Sequence, residues 1–236
     1  KAGVAVADLF TGVYAAGAVM AALIARDRGL GGQHIDMALF DVQAAMLANQ
    51  AENAFISGGP PGRAGNAHPN IVPYQDFETA DGRIAVAVGS DGQFRRFAEA
   101  LGQAEWAEDP RFARNRDRVV HRGALVAQIE AVMRAQTTAY WTHALGAAGV
   151  PRGPVLDVAE VFAHPQAQAR GLRVDLRRED GTAAPTPANP MRLGRTPPRY
   201  HRAPPVFAAD TDAVLEELLG ADPETVAAWR QAGVVA

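Results

Sequence analysis

The chain has 236 residues, of which 48% are hydrophobic and 21% charged, with a net charge of −3 and no cysteine. That length buries a sizeable core, as one large domain or two small ones. The interspersed charges form no basic stripe that would neutralise phosphates, which argues against nucleic acid as a partner. The lack of cysteine excludes disulfides, thiolate metal sites and a thiol nucleophile, and fits a reducing compartment. Lys1 stands where an initiator Met would be, and a strand-like run follows at once, so the sequence reads as a fragment or processed piece.

In chain order, Val4–Ala7 is expected to form a short buried strand that delivers Asp8 to the mouth of an apolar helix. Leu9 to Ala25 carries no charge, but it is shorter than the roughly 20 apolar residues of a membrane span. Its wealth of Ala and Gly suits close helix packing, so a buried core helix is expected. Arg28-Gly29-Leu30-Gly31-Gly32 should stop it. His34–Leu39 reads as a strand or turn, and Asp41 as the cap of a second helix reaching about Phe55. Ser57–Pro73 is dense in Gly, Pro and Asn, and a loop of that length is expected to be either functional or disordered.

Tyr74–Thr79 and Arg83–Val88 flank Ala80-Asp81-Gly82, a hairpin signal. Asp91 is expected to cap a helix with Phe94, Phe97 and Leu101 on one face. Helices over Arg118–Ala135 and Thr138–Ala148 follow, then an extended piece at Val150–Val155. Asp157 caps a short helix ending near His164-Pro165, and Leu172–Leu176 is a strand turned back at Asp180-Gly181. The prolines of 185–205 stiffen an extended arm, either a surface loop or a tether, before helices from about Asp212 and from Pro223 to Gly233.

Some chemistries drop out. Ser57 and Ser90 lie outside any G-x-S-x-G, and the six histidines make no i, i+4 pair, so neither a serine hydrolase nor a metal site is expected. Asp8 is the only charged residue between Lys1 and Arg26. It reads either as a helix N-cap or as a nucleophilic carboxylate at a helix N-terminus, and the two roles are compatible.

Residues 7–50, 65–101 (beginning GNAHPNIVPY, with a Thr-Ala-Asp-Gly hairpin after it), 149–155 (GVPRGPV) and 160–171 (EVFAHPQAQARG) resemble family III CoA-transferases, the CaiB/BaiF group. The resemblance covers essentially the whole chain, but only the C-terminal part of a typical member. It implies an α/β fold and an interlocked homodimer. Residues 1–56 would be the C-terminal part of the large domain and 57–73 a linker and active-site lid. Residues 74–184 would be a small α+β domain, and 185–236 a return arm with terminal helices of the large domain.

The implied enzyme is cytoplasmic and moves coenzyme A from an acyl-CoA donor to a carboxylic acid, with no tightly bound cofactor, metal or membrane. Asp8 matches the catalytic aspartate that forms an anhydride and then an aspartyl-CoA thioester. Asn66, His68, Asn70 and Ile71 are the candidate substrate-binding residues on the lid. Two departures from the family pattern stand out. His68-Pro69-Asn70-Ile71 is a stiffer lid than the glycine run of some members, and Ala208-Ala209-Asp210-Thr211 replaces a Gly-Glu-His-Thr-like stretch. An α-methylacyl-CoA racemase on the same fold is the alternative, although the GNAHPNIVPY lid favours transfer. A non-catalytic fragment is the other alternative, since most CoA contacts in the family come from the N-terminal domain. The isolated chain is accordingly expected to bind CoA poorly and to be inactive alone.

Overall fold

The computed structural model describes residues 3–235; Lys1, Ala2 and Ala236, at the outer ends of the expected domains, lie outside it. The chain divides into two compact units, Lys1–Pro69 and Asn70–Ala236.

The first unit is helical. Helix α1 spans Val6–Ala25, and a π-helical turn at Arg26–Leu30 ends it, with Gly29 and Gly31 at φ 86° and 77°. These glycines supply the left-handed geometry expected of the stop. The strand expected at Val4–Ala7 is absent: Val6 and Ala7 already belong to the helix. A strand needs a neighbour to satisfy its backbone groups, and the first unit has no strand among its described residues.

The expectation of a buried helix is also corrected, because no residue of α1 is buried. Its neighbours in the unit are the turn at Arg26–Leu30 and helix α2 (Leu39–Ala45), too little surface to cover a helix apolar on all sides. The continuous helical run Val6–Leu30, with a mean hydropathy of 1.6 over an 18-residue window, is by length and composition alone long and apolar enough to cross a membrane. The shorter uncharged stretch had suggested otherwise.

His34–Leu39 is irregular up to Ala38 rather than a strand, and Ala38, not Asp41, precedes the first turn of α2. The single helix expected to Phe55 is broken at Met46–Ala48, where Ala48 takes φ 44°, and α3 resumes over Asn49–Ser57.

In the second unit, strands β1 (Tyr74–Glu78) and β2 (Arg83–Ala87) form the expected antiparallel hairpin, pairing Tyr74 with Ala87 and Glu78 with Arg83. Helix α4 covers Asp91–Ala100, a 3-10 turn Ala104–Ala107, α5 Asn115–Val120, α6 Arg122–Met133 and α7 Thr138–Ala147. The helix expected from Arg118 is thus two helices, broken at His121. The extended piece becomes β3 (Arg152–Pro154), the third strand of the sheet, antiparallel to β2.

Phe77, Ile84 and Val86 turn one face of this sheet inward onto Phe94, Phe97, Leu101, Leu125, Ile129 and Leu145. Each buried side chain of this size contributes about 1.5–3 kcal/mol. The indole N–H of buried Trp141 is satisfied by the Met133 carbonyl at 2.7 Å.

The hairpin turn does a second job. The Asp81 carboxylate accepts hydrogen bonds from the Thr138 backbone N–H at 2.7 Å and the Thr138 hydroxyl at 2.9 Å, capping α7 from outside.

Beyond the sheet, Asp157 caps α8 (Val158–Ala163) in a reciprocal capping box with Glu160, and α9 spans Pro165–Ala169. Strands β4 (Arg173–Arg177) and β5 (Ala183–Pro187) form a separate two-stranded hairpin. The prolines of β5 are tolerated because a two-stranded ribbon leaves one edge unpaired. Helices α10 (Thr211–Leu219) and α11 (Pro223–Gln231) close the chain as expected.

Candidate active site

Asp8 is the third residue of α1, inside its first turn; Ala5, not Asp8, occupies the capping position. The N-cap reading of Asp8 is therefore corrected. The first i to i−4 hydrogen bond of the helix runs from the Leu9 N–H to the Ala5 carbonyl. Asp8 thus lies where helix amides have no partner further up the helix and where the dipole favours negative charge. Its carboxylate is exposed, and among the described residues no hydrogen bond or ion pair engages it.

The loop after α3 opens with Gly58 in the left-handed region at φ 71°. Asn66 is exposed in a turn closed by the Ala67 N–H to the Ala64 carbonyl at 3.0 Å, and His68 is half-buried ahead of Pro69. Asp8, Asn66 and His68 belong to the first unit, whereas Asn70 and Ile71 belong to the second.

Two side chains that the sequence did not single out, Asn115 and Arg118, hold Asn70–Val72. The Asn115 side-chain amide donates to the Asn70 carbonyl at 2.8 Å and accepts from the Val72 N–H at 3.1 Å. Arg118, fully buried, donates from Nε to the Val72 carbonyl at 2.7 Å and from Nη1 to the Phe112 carbonyl at 2.8 Å. Its Nη2 meets Asp91 Oδ1 at 2.8 Å, and its guanidinium lies 4.3 Å from the Phe94 ring centre. Burial lowers the Arg118 pKa from its ordinary value, and the bond and charge of Asp91, then the charge of Asp117, oppose that shift. Asp91 also accepts from the Asn115 backbone N–H at 2.9 Å.

This explains a further correction. Ser90 caps α4, its side chain accepting from the Gln93 N–H, which leaves the Asp91 carboxylate to serve α5. In sequence, Arg118 is one of three arginines in RNRDRVV, and nothing in that run sets it apart from the other two. The only signal was the i, i+3 spacing of Asn115 and Arg118, which places them on one side of a helix.

A cleft of about 600 Å³ lies between β4–β5 and the Pro-rich arm, and it includes none of these residues. Several polar groups in and beside it shape the arm. Tyr200 Oη accepts from the Asn189 N–H at 2.6 Å, Arg202 pairs with Asp210 at 2.6 Å, and Arg178 donates to the Pro204 carbonyl at 2.9 Å. No group of three or more His, Cys, Asp or Glu side chains suited to a metal occurs among the described residues.

The model for CoA-transferase family III matches residues 1–211. The chain belongs to that family. It is 50% identical over 222 residues to a succinate–glutarate CoA-transferase of Agrobacterium fabrum, covering 92% of this chain and 54% of that protein. It is 33% identical over 235 residues to the human succinyl-CoA:glutarate CoA-transferase, covering 100% of this chain and 54% of that one. The crystal structure of a CaiB/BaiF family protein from Brucella suis matches with a TM-score of 0.74 at 44% identity, over 92% of this chain and 56% of that chain. The family III chain thus spans about half the length of the curated relatives it matches.

Proposed function

We propose that the protein carrying this chain transfers coenzyme A from an acyl-CoA to a carboxylic acid, with Asp8 as the nucleophile. The observation that carries the reading is the carboxylate itself, exposed in the first turn of a long apolar helix and uncommitted to any described protein group. The Asp8 carboxylate attacks the thioester carbonyl, expelling CoA thiolate and forming a mixed anhydride. The thiolate then attacks the aspartyl carbonyl, giving an aspartyl-CoA thioester and releasing the donor acid. The acceptor carboxylate attacks that thioester, again expelling thiolate and forming a second anhydride. Attack of the thiolate on the acceptor's acyl carbon yields the new acyl-CoA and restores Asp8. First-turn amides favour the anionic nucleophile, and exclusion of water protects the anhydrides from hydrolysis.

The names of two relatives, at 50% and 33% identity, favour succinate and glutarate as the acids. The polar lid residues Asn66, His68 and Asn70 suit a second carboxylate. We further infer that residues 1–56 and 185–236 belong to a large domain, 57–73 to a linker and lid and 74–184 to a smaller domain, in a cytoplasmic homodimer. The polypeptide that the relatives have beyond the matched region would cover the apolar surface of α1. No cofactor beyond the CoA substrate is required.

The test uses the full-length protein with succinyl-CoA and glutarate. Asp8→Asn is expected to lower glutaryl-CoA formation by about 10³-fold or more without changing the thermal midpoint. Retention of more than a tenth of the wild-type rate would refute the assignment.

A further inference from the structure

The Asn115–Arg118–Asp91 cluster buries a charged side chain and ties α4 and α5 to the loop ahead of β1. Its hydrogen bonds to residues ahead of β1 all go to main chain of the loop. Both backbone groups of Val72 are taken, the N–H by Asn115 and the carbonyl by Arg118, and the Asn70 carbonyl is taken by Asn115. A guanidinium fixed by three hydrogen bonds and an aromatic face has little freedom to turn. The side chains held in register by these bonds are Asn70 and Ile71, which flank the anchored peptide groups. Both are candidate contacts for the acid.

We propose that Asn115 and Arg118, braced by Asp91, are positioning residues for CoA transfer: they fix the main chain of Asn70–Val72 and so set where the loop presents Asn70 and Ile71. This inference rests on the function proposed above. Asn115 is the better probe, because it is half-buried and its loss leaves the buried guanidinium paired. Asn115→Ala removes the acceptor for the Val72 N–H and the donor to the Asn70 carbonyl. Asn115→Asp keeps the acceptor but replaces the donor with a charged oxygen facing the Asn70 carbonyl, so its rescue is partial.

The experiment compares both variants with wild type in the full-length protein, reading kcat and KM for glutarate, thermal midpoint, and hydrogen exchange by mass spectrometry. For Asn115→Ala, kcat/KM for the acid should fall by about 10- to 100-fold, the scale of an ångström-sized misplacement. Exchange should rise in peptides covering 66–73 while the rest of the second unit stays protected. Asn115→Asp should restore protection at Val72 and part of the lost rate.

The inference is overturned if exchange at 66–73 rises with unchanged kinetics, or if protection is lost throughout the second unit. It is equally overturned if the Asp variant rescues neither property. The two readings separate cleanly. A wild-type protein without CoA transfer sinks the proposed function and this inference with it, whereas an active wild type matched by an active Asn115→Ala sinks the positioning role alone.

Discussion

The two units spend their apolar residues in opposite ways. In the second, Phe94, Phe97, Phe112, Ile84 and Leu145 are wholly buried, and even an arginine is taken inside with its bonds complete. In the first, Val42 is the one buried residue among those described, and α1 keeps Phe10, Val13, Tyr14 and Leu23 exposed. The contrast teaches that hydrophobic composition reports what a segment can bury, not what covers it. The second unit holds the helices and strands needed to close its own core, whereas α1 is apolar all round and has too few neighbours.

Stability should therefore respond to mutation in the second unit and hardly at all in the first. In the 236-residue chain, Phe94→Ala should cost about 3–5 kcal/mol, since it empties a core site and strips the face from the Arg118 guanidinium. Val13→Ala, on a side chain 71% exposed, should change stability by no more than about 0.5 kcal/mol. Urea denaturation of each variant checks the pair. Equal costs would break the comparison and mean that α1 is covered in solution.

A smaller effect sharpens it by placing a pH-dependent contact in the second unit. The Thr138 backbone N–H, then the Thr138 hydroxyl, hold the Asp81 carboxyl below its ordinary value of 3.8. A depressed carboxyl pKa stabilises the fold above the unfolded value, and that contribution is lost as pH falls from about 4 toward the folded value. Asp81→Asn should therefore flatten the acid-side decline of the urea midpoint. An unchanged slope between about pH 5 and pH 2.5 would contradict it. Asp109, Asp180 and Asp222 are lowered by similar local bonds and should preserve the rest of the decline.

What the sequence made legible follows the same division. The Asp-Gly hairpin, the inward face of Phe94, Phe97 and Leu101, and the Asp157 cap are set by neighbours a few residues away, and all three appear as expected. The buried α1 and the strand before Asp8 failed because burial and pairing need a partner surface that local pattern does not supply. Asp91 failed more instructively: a capping residue and a salt-bridge residue look alike in sequence, and only the approach of α5 decides between them.

Family membership was readable from GNAHPNIVPY and the segments around it, and residues 1–211 match the family. The anchors Asn115 and Arg118 were not readable, because the contacts that define them span 43 to 46 positions of chain.

A covalent bond to the Asp8 carboxylate can be caught by trapping. Full-length protein incubated with succinyl-CoA, quenched with hydroxylamine and digested should yield one modified peptide, with the hydroxamate on Asp8. Modification of any other residue, or continued turnover with no modified peptide at all, would contradict the account.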